Sequence, residues 1–269
     1  MNVRIWGCRG SLATPGPETV RTGGNTSCVE VRSASGAVVV LDAGSGIRKL
    51  GGALAAEGVR EVDLLLTHLH LDHVEGLGFF ALLFDPDCTV RIWGPKDEAP
   101  LRERLGTWLS PPFFPLRFET FPARIEINEV EPGDWTVAGI RVTAARVCHP
   151  GPTLGYRLTE AGRSLAFIPD NEPGRDPDSG VALAAGADLL LHDAQYTDEE
   201  YRTRVGWGHA SITDYGAFVR TTEPRAALMF HHDPAHSDEL LETHERDARA
   251  AAGRDDVELA REGAAFELR

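Results

Sequence analysis

The segment His68-Leu69-His70-Leu71-Asp72-His73 places three imidazoles and one carboxylate within six residues. It directly follows residues 62–67, a short apolar run that is typical of a buried strand. Polar groups at the end of such a strand lie on the loop at the carboxyl edge of the sheet, where open α/β sheets build their sites. The leucines alternate with the polar residues, so the polar side chains can converge while the apolar ones pack behind them. The segment therefore predicts a metal site; the alternative is a polar turn that happens to contain histidine.

The composition limits the classes of partner. The chain has 269 residues, of which 42% are hydrophobic and 25% charged, and its net charge is −14. An acidic surface disfavours long contacts with a nucleic-acid backbone, because counterion release requires clustered Lys and Arg. A small anionic substrate remains compatible with this charge, since a bound metal supplies local positive charge.

The cysteines and the lengths of the apolar runs indicate the cellular compartment. Cys8, Cys28, Cys88 and Cys148 are isolated and form no CxxC pair, which is typical of reduced thiols in a chain of this length. The first residues lack the pattern of a signal peptide, and no apolar run approaches the roughly 20 residues needed to cross a bilayer. We expect a soluble, cytoplasmic protein without a membrane partner.

The distribution of elements predicts a single domain over residues 1–269. Strands fall into two groups, which favours two facing sheets with helices outside them. The alternation in residues 124–168 indicates an antiparallel second sheet. Helices are expected at residues 47–57, 74–84, 99–109, 177–185, 211–222 and 237–252.

Residues 95–121 form an aromatic and proline-rich insert that contains Trp108, Phe113, Phe114 and Phe118. One interpretation is a lid or wall that offers a base-stacking surface to the substrate. The other is peripheral packing or the interface of a homodimer. The sequence leaves both interpretations open.

Three later residues, His149, Asp170 and His231, each follow an apolar strand, as the segment at residues 68–73 does. If these strand ends converge, one metal would be bound by His68, His70 and His149, and a second by Asp72, His73 and His231. Asp170 could bridge them, because a carboxylate can offer one oxygen to each metal. Imidazole and carboxylate suit Zn²⁺, with Mn²⁺ or Fe as alternatives. Two divalent ions per chain are therefore expected; His232 remains an alternative to His231.

The ordered series His68-x-His70-x-Asp72-His73, His149, Asp170 and His231 resembles the metallo-β-lactamase superfamily. This resemblance implies an α/β fold, a four-layer αββα sandwich with a binuclear metal site at one edge. The motif is specific, and its members are spread over most of the chain.

Further motifs are similar to those of ribonuclease Z and related phosphodiesterases. They are residues 191–195 and 208–211, with the N-terminal loops at residues 7–11 and 24–27. The resemblance implies that His209 lies beside the scissile phosphate and that Asp193 orients it. The chain departs from ribonuclease Z in carrying Asp193 in place of glutamate. In addition, the 20 residues between His149 and Asp170 leave no room for a long tRNA-binding arm.

We therefore expect a metal-dependent hydrolase whose substrate is a small phosphodiester, such as a cyclic nucleotide. A hydroxide shared by the two metals would attack in line, and His209 would protonate the leaving alkoxide. Asp72 and Asp193 complete the expected catalytic set.

Three other functions remain open. One is a lactonase or thioesterase with the same metals, and another is an endoribonuclease similar to the enzymes that process tRNA 3′ ends. The third is a metal-binding sensor or scaffold, against which the complete ligand series argues. A structural role for His209 also remains open, while His192, His236 and His244 are interpreted as non-catalytic.

Overall fold

The structure is a computed structural model that describes residues 1–269. Its strands, in chain order, are β1 (Asn2–Gly7), β2 (Cys28–Arg32), β3 (Val38–Leu41), β4 (Glu61–Leu65), β5 (Thr89–Pro95), β6 (Arg124–Val130), β7 (Gly133–Val137), β8 (Ile140–Arg146), β9 (Leu154–Glu160), β10 (Arg163–Ile168), β11 (Leu189–Asp193), β12 (Ala227–Phe230), β13 (Val257–Leu259) and β14 (Ala265–Glu267). The helices are α1 (Ile47–Ala56), α2 (Leu71–Val74), α3 (Leu101–Trp108), α4 (Val181–Ala184), α5 (Asp198–Tyr201), α6 (Ile212–Thr222) and α7 (Asp238–Ala252). None of them is long and apolar enough to cross a membrane.

The strands form two mixed sheets of seven strands each. The first has the order β14-β1-β2-β3-β4-β5-β6 and the second β13-β12-β11-β10-β9-β8-β7. Strands β3 to β6 are parallel to one another, and so are β10 to β13. Parallel strands end at a common edge, so each sheet gathers the residues that follow its strands along one line.

The two sheets face each other across a shared core, and helices cover their outer faces. Along β3 the side chains alternate, because Val39 and Leu41 pack between the sheets while Val38 and Val40 pack under the outer helix α1. Helices α4, α6 and α7 cover the second sheet in the same way. The expected four-layer αββα sandwich is confirmed.

Helix starts follow the local sequence where a capping side chain is present. Ser211 accepts a hydrogen bond from the backbone N–H of Asp214 at 3.1 Å, and Ser237 accepts one from Leu240 at 3.3 Å. These bonds satisfy backbone donors that the first helical turn leaves unpaired. The expected helices at residues 211–222 and 237–252 are found as α6 and α7.

Two expected helices are largely wrong. Residues 74–84 form two short 3₁₀ turns, Leu77–Phe79 and Ala81–Phe84, after the single turn of α2. The chain here passes so close to its neighbours that a Cβ on Gly76 would lie 2.2 Å from the Gly44 carbonyl oxygen. Residues 177–185 shorten to α4, which begins after Gly180 with a φ of +76°.

The prediction of an antiparallel second sheet is correct only in part. Strands β7 to β10 are antiparallel, but β10 to β13 are parallel. The strand at residues 124–130, expected in that sheet, instead pairs with β5 in the first sheet. The insert before it contains α3 and acts as a crossover connection, which is what a parallel pair requires.

Candidate metal centre

Every side chain assigned to the site from the sequence lies at one edge of the sandwich. His68 and His70 follow β4, and Asp72 and His73 lie in α2 immediately after them. The others come from the second sheet: His149 follows β8, Asp170 follows β10, Asp193 ends β11, His209 precedes α6 and His231 follows β12. Their donor atoms fall into overlapping groups of three, within each of which all atoms lie within 4.8 Å of one another.

Asp170 lies at the centre of the cluster. Its Oδ1 atom is 3.1 Å from His73 Nε2. Its Oδ2 atom lies 3.4 Å from the Nε2 of His231, 3.5 Å from that of His149 and 3.7 Å from that of His68. The carboxylate therefore faces both expected metal sets, as the bridging assignment requires.

The remaining ligands divide into the two expected sets. His68, His70 and His149 form one compact group, and Asp72, His73 and His231 form another. In the second set, His231 Nε2 is 3.0 Å from Asp72 Oδ2 and 3.3 Å from His73 Nε2. The assignment of each set to one ion stays a prediction.

Four of the histidines are held at Nδ1, so that Nε2 points into the cluster. A metal-binding histidine commonly bonds through its other ring nitrogen in this way, which fixes its orientation. The partners are Thr67 Oγ1 for His68 (3.1 Å), Asp42 Oδ2 for His73 (2.7 Å), Thr153 Oγ1 for His149 (3.1 Å) and Gln195 Oε1 for His231 (2.9 Å).

Buried atoms without hydrogen-bond partners show that these residues fit a cation. His68 Nε2 and His149 Nε2 are buried and make no hydrogen bond, and neither does Asp170 Oδ1, whose 3.1 Å contact with His73 lacks hydrogen-bond geometry. Buried polar atoms in folded proteins are normally paired. Nitrogen and carboxylate donors that face one another are the ligands that zinc and similar divalent ions take.

The pKa values of His149 and His231 are shifted in opposite directions. Burial lowers the pKa of His149 to about 4 against the attraction of Asp170, so the ring is neutral at pH 7, the form that binds a metal. Burial also acts on His231, but the carboxylates of Asp170 and Asp72 outweigh it and raise its pKa to about 9. A metal bound there would take the place of a proton between the same carboxylates.

The N-terminal loop closes one side of the cluster. The backbone N–H of Ser11 donates to Asp72 Oδ2 at 2.7 Å. Gly10 packs against the His231 ring so tightly that a Cβ at this position would lie 2.2 Å from Nδ1. Both Ser11 and His231 have positive φ angles, 61° and 59°, which is uncommon for residues with a side chain. Such strain clusters at functional sites.

Comparison with known proteins agrees with this geometry. A family model described as the β-lactamase superfamily domain matches residues 38–232. The chain belongs to the β-lactamase superfamily. The match begins at β3 and ends just after His231, so it contains all the residues of the two expected metal sets.

Within the superfamily, the chain is similar to bacterial ribonucleases Z. It is 31% identical over 198 residues to the enzyme of Mycobacterium sp. strain KMS, covering 67% of this chain and 65% of that one. It is 28% identical over 266 residues to the enzyme of Mycolicibacterium paratuberculosis, covering 90% and 89%. The metallo-β-lactamase fold protein YhfI of Bacillus subtilis superposes with a TM-score of 0.75 at 19% identity over 98% of each chain. The expected superfamily is confirmed, and the curated relatives that this chain resembles are named for the expected ribonuclease Z branch.

His209 and Asp193 form a hydrogen-bonded pair beside the group of expected metal ligands. His209 Nδ1 lies 2.8 Å from Asp193 Oδ2, and the ring stacks on His231 with centroids 4.9 Å apart. Asp193 is fully buried, and three backbone N–H groups donate to its carboxylate, those of Asn171, Gln195 and Ala210. The aspartate is thus held by three backbone donors while it pairs with the imidazole, and its role in orienting His209 stays a prediction.

A cavity of about 340 Å³ adjoins His68 and His70. The insert contributes the polar side chains of Asp97, Arg104 and Thr107 to its wall. The aromatic side chains behave otherwise, since Trp108, Phe114 and Phe118 pack into the core of the first sheet and only Phe113 is largely exposed. The insert therefore contributes polar side chains to this cavity, whereas a base-stacking aromatic surface was the first of the two interpretations.

The remaining histidines lie outside the cluster. His232 is buried, but its Nε2 lies 2.9 Å from the Ala260 carbonyl oxygen, so it is His231 that faces the ligands. His192 bonds to the Asp193 carbonyl oxygen and to Asn171. His236 bonds to Glu200 and stacks edge-on against His244.

Three side chains that hydrogen-bond to the cluster or to the loop before His209 are not among those expected from the sequence: Asp42, Glu172 and Gln195. Asp42 had a usable signal, because it follows the apolar strand β3 just as Asp170 follows β10. Gln195 lies in the motif at residues 191–195, but nothing in that motif indicates its contact with His231. Glu172 follows Asp170 by two residues, and its contacts with the loop before His209 are formed only in the folded protein.

Proposed function

We propose that this chain is a metal-dependent phosphodiesterase that acts on a small phosphodiester such as a cyclic nucleotide. The observation that carries this proposal is the His209–Asp193 pair, held at 2.8 Å beside a cluster that fits divalent metals. The pair adds a proton donor to a metal site, and each of the two accelerates hydrolysis of a phosphodiester with an alkoxide leaving group.

The metals would be held by the two groups of side chains described above. His68, His70 and His149 would hold one ion, and Asp72, His73 and His231 the other, with Asp170 between them. When bound, divalent ions supply Lewis acidity to the phosphoryl oxygens and lower the pKa of water towards neutrality. Zinc is the ion that this donor set favours, and Mn²⁺ or Fe is compatible with it.

His209 would act as the general acid. Its hydrogen bond to Asp193 is made through Nδ1, which leaves Nε2 free on the opposite side of the ring. As an imidazolium, His209 would direct one proton at Asp193 and present the other at Nε2. When the P–O bond to the leaving alcohol breaks, that second proton passes to the departing oxygen and yields a neutral alcohol.

Three features support a small substrate. The chain carries a net charge of −14, which disfavours a long polyanion. The residues between His149 and Asp170 form only the β9–β10 hairpin and its connections, so no arm extends from this point. The adjoining cavity of about 340 Å³ is of the size that accommodates small molecules, and its wall includes the cation Arg104.

RNA cleavage is the second candidate, because the relatives similar over 90% of this chain are ribonucleases Z. A direct comparison separates the two candidates. Purified protein would be offered 2′,3′- and 3′,5′-cyclic nucleotides, a short RNA, a precursor tRNA with a 3′ extension, and a lactone and a thioester. We expect turnover of a cyclic nucleotide to exceed that of the RNAs. Preference for the precursor tRNA would favour the second candidate, and turnover of the lactone alone would reject both.

The metal requirement is tested by His68→Ala and Asp170→Ala. Each variant should lose bound metal, measured by elemental analysis, and turnover of bis(p-nitrophenyl) phosphate. Asp255→Ala serves as a control, since Asp255 is exposed and lies at the opposite end of the second sheet, just before β13. Full activity in a metal-free Asp170→Ala protein would reject the proposal, and stoichiometric metal without turnover in the wild type would favour a scaffold.

A further inference from the structure

Glu172 is a buried carboxylate whose hydrogen bonds all come from the loop that leads to His209. Only 1% of the residue is exposed. Its Oε1 atom accepts from the Tyr201 hydroxyl at 3.0 Å and from the backbone N–H of Gly206 at 2.7 Å, and its Oε2 atom accepts from the N–H of Gly208 at 2.9 Å. These three donors lie within the eight residues before His209.

No cation pairs with Glu172, although the structure contains many ion pairs elsewhere. No Lys, Arg or His nitrogen lies within 4.0 Å of its carboxylate, in contrast to Asp170 and Asp193. Removal of a carboxylate from water is costly unless hydrogen bonds compensate it. Here two peptide N–H groups and one phenol provide that compensation, so the loop has to keep one conformation for Glu172 to remain satisfied.

The loop reaches this conformation through glycine. Gly206 and Gly208 have φ angles of 91° and 94°, which side-chain-bearing residues rarely adopt, and in this geometry their N–H groups point at one acceptor. On its other side Gly208 touches the metal set, because a Cβ at this position would lie 2.3 Å from His149 Cδ2. The residue before His209 is therefore clamped between Glu172 and His149.

The other end of the clamp is fixed to the site as well. The backbone N–H of Glu172 donates to the Cys148 carbonyl oxygen at 2.8 Å. The preceding residue, Asn171, donates its N–H to Asp193 Oδ2 at 3.3 Å. Glu172 thus joins the segment that carries Asp170 to the segment that carries His209.

We propose that Glu172 is a positioning residue for His209. Asp193 sets the tautomer and direction of the His209 imidazole. Glu172 sets the position of the His209 backbone relative to the expected metal ligands. The inference rests on the proposed function, because it assumes that His209 donates a proton to the leaving group. It adds a residue that touches neither metal nor substrate and acts only through the loop at residues 201–208.

The test is Glu172→Gln, which keeps the size of the side chain but turns an NH₂ group towards backbone N–H donors. Two substrates distinguish a positioning role from general damage. Bis(p-nitrophenyl) phosphate releases p-nitrophenolate, which leaves without a proton, whereas a cyclic nucleotide releases an alkoxide that needs one. We expect kcat on the cyclic nucleotide to fall by about 10- to 100-fold, a part of the roughly 10²- to 10⁴-fold that general acid catalysis supplies, and kcat on the nitrophenyl ester to change little.

Glu199→Gln is the matched control, because Glu199 is exposed in α5 and makes no side-chain hydrogen bond. Tyr201→Phe removes one of the three donors and leaves the backbone intact, so it should show the same selectivity at smaller size even if Glu172→Gln folds poorly. Metal content should be unchanged in all three variants. In a Glu172→Gln/His209→Ala double variant, the loss should not exceed that of His209→Ala alone.

The failure of this inference differs from the failure of the proposed function. If His209→Ala lowers turnover of both substrates equally, the acid role of His209 is wrong. If His209→Ala is selective for the alkoxide substrate but neither Glu172→Gln nor Tyr201→Phe is, the positioning role of Glu172 is overturned. A fall on both substrates accompanied by loss of metal would likewise overturn it, because Glu172 would then support the ligands.

Discussion

Gly10→Ala should damage the metal centre although Gly10 itself offers no ligand. A Cβ at this position would lie 2.2 Å from Nδ1 of His231 and 2.4 Å from Cε1. Neither the Gly10 backbone nor the His231 ring can move away easily, because hydrogen bonds hold both of them. The N–H of Gly10 donates to the His232 carbonyl oxygen at 2.9 Å, and His231 is held between Gln195 at 2.9 Å and Asp72 at 3.0 Å.

The size of the effect follows from this geometry. Non-bonded heavy atoms settle at about 3.5 Å or more, so the alanine forces the ring and the loop apart by about 1 Å. A displacement of about 1 Å at a catalytic group can lower the rate by roughly 100-fold, or about 2.7 kcal/mol of transition-state stabilisation. Overpacking of this kind also lowers the free energy of unfolding by about 1–3 kcal/mol.

Three measurements check this prediction: metal content by elemental analysis, kcat/KM on bis(p-nitrophenyl) phosphate and thermal unfolding. We expect Gly10→Ala to bind less metal at the set that contains His231, to turn over more slowly and to unfold at a lower temperature. Gly52→Ala is the matched control, since Gly52 is exposed in α1 and a Cβ there meets no atom within 4 Å. The control should be neutral or slightly stabilised. Wild-type metal content and turnover in a folded Gly10→Ala protein would refute the reasoning.

Two other variants test the surroundings of the site. Asp42→Asn places an NH₂ group among the donors that now bond to the Asp42 carboxylate, including His73 Nδ1 at 2.7 Å. We expect metal binding to weaken by about 10- to 100-fold, measured by competition with a chelator. Unchanged metal affinity would count against an orienting role for Asp42. The second variant concerns His192. Burial lowers its pKa to about 4 from an ordinary value of 6.5, so the imidazole takes up a proton at a lower pH in the folded state than in the unfolded state. The free energy of unfolding is therefore not reduced by His192 above pH 6.5. It falls by about 3 kcal/mol as the pH is lowered from 6.5 to 4. His192→Gln should flatten the acid limb of unfolding curves measured against urea, and parallel limbs for the two proteins would contradict this.

The side chains expected as ligands lie together because they follow a local rule. His68, Asp170 and His231 each follow an apolar strand, and parallel strands deliver such residues to a common edge whatever the rest of the chain does. Asp42 obeys the same rule, so the sequence contains a signal for this side chain as well. The apolar run at residues 74–84 misleads for another reason, because the glycine at 76 accommodates the close backbone of Gly44, a contact that hydrophobic periodicity does not contain.

The strand order was harder to predict than the strand positions. Residues 124–130 alternate as an antiparallel strand would, yet they lie parallel to β5 at the edge of the first sheet. Alternation records that one face is buried, and it carries no information about the direction of the neighbouring strand. The connection decides the direction, since a long insert with a helix permits the crossover that a parallel pair needs.

The side chains that orient the ligands form a third category, for which no local rule exists. Gln195 reaches His231 across 36 residues, and Glu172 reaches Gly208 across the same separation. Neither residue follows a spacing that chemistry imposes, because a carboxylate or amide can meet a ring nitrogen or a peptide N–H from many directions. A ligand set can thus survive intact in a sequence whose orienting contacts have been lost. In this chain the ligand motif alone predicts that metal can bind, whereas the hydrogen bonds of Gln195, Asp42 and Asp193 hold the imidazoles of the cluster in one orientation, which turnover of a substrate would require.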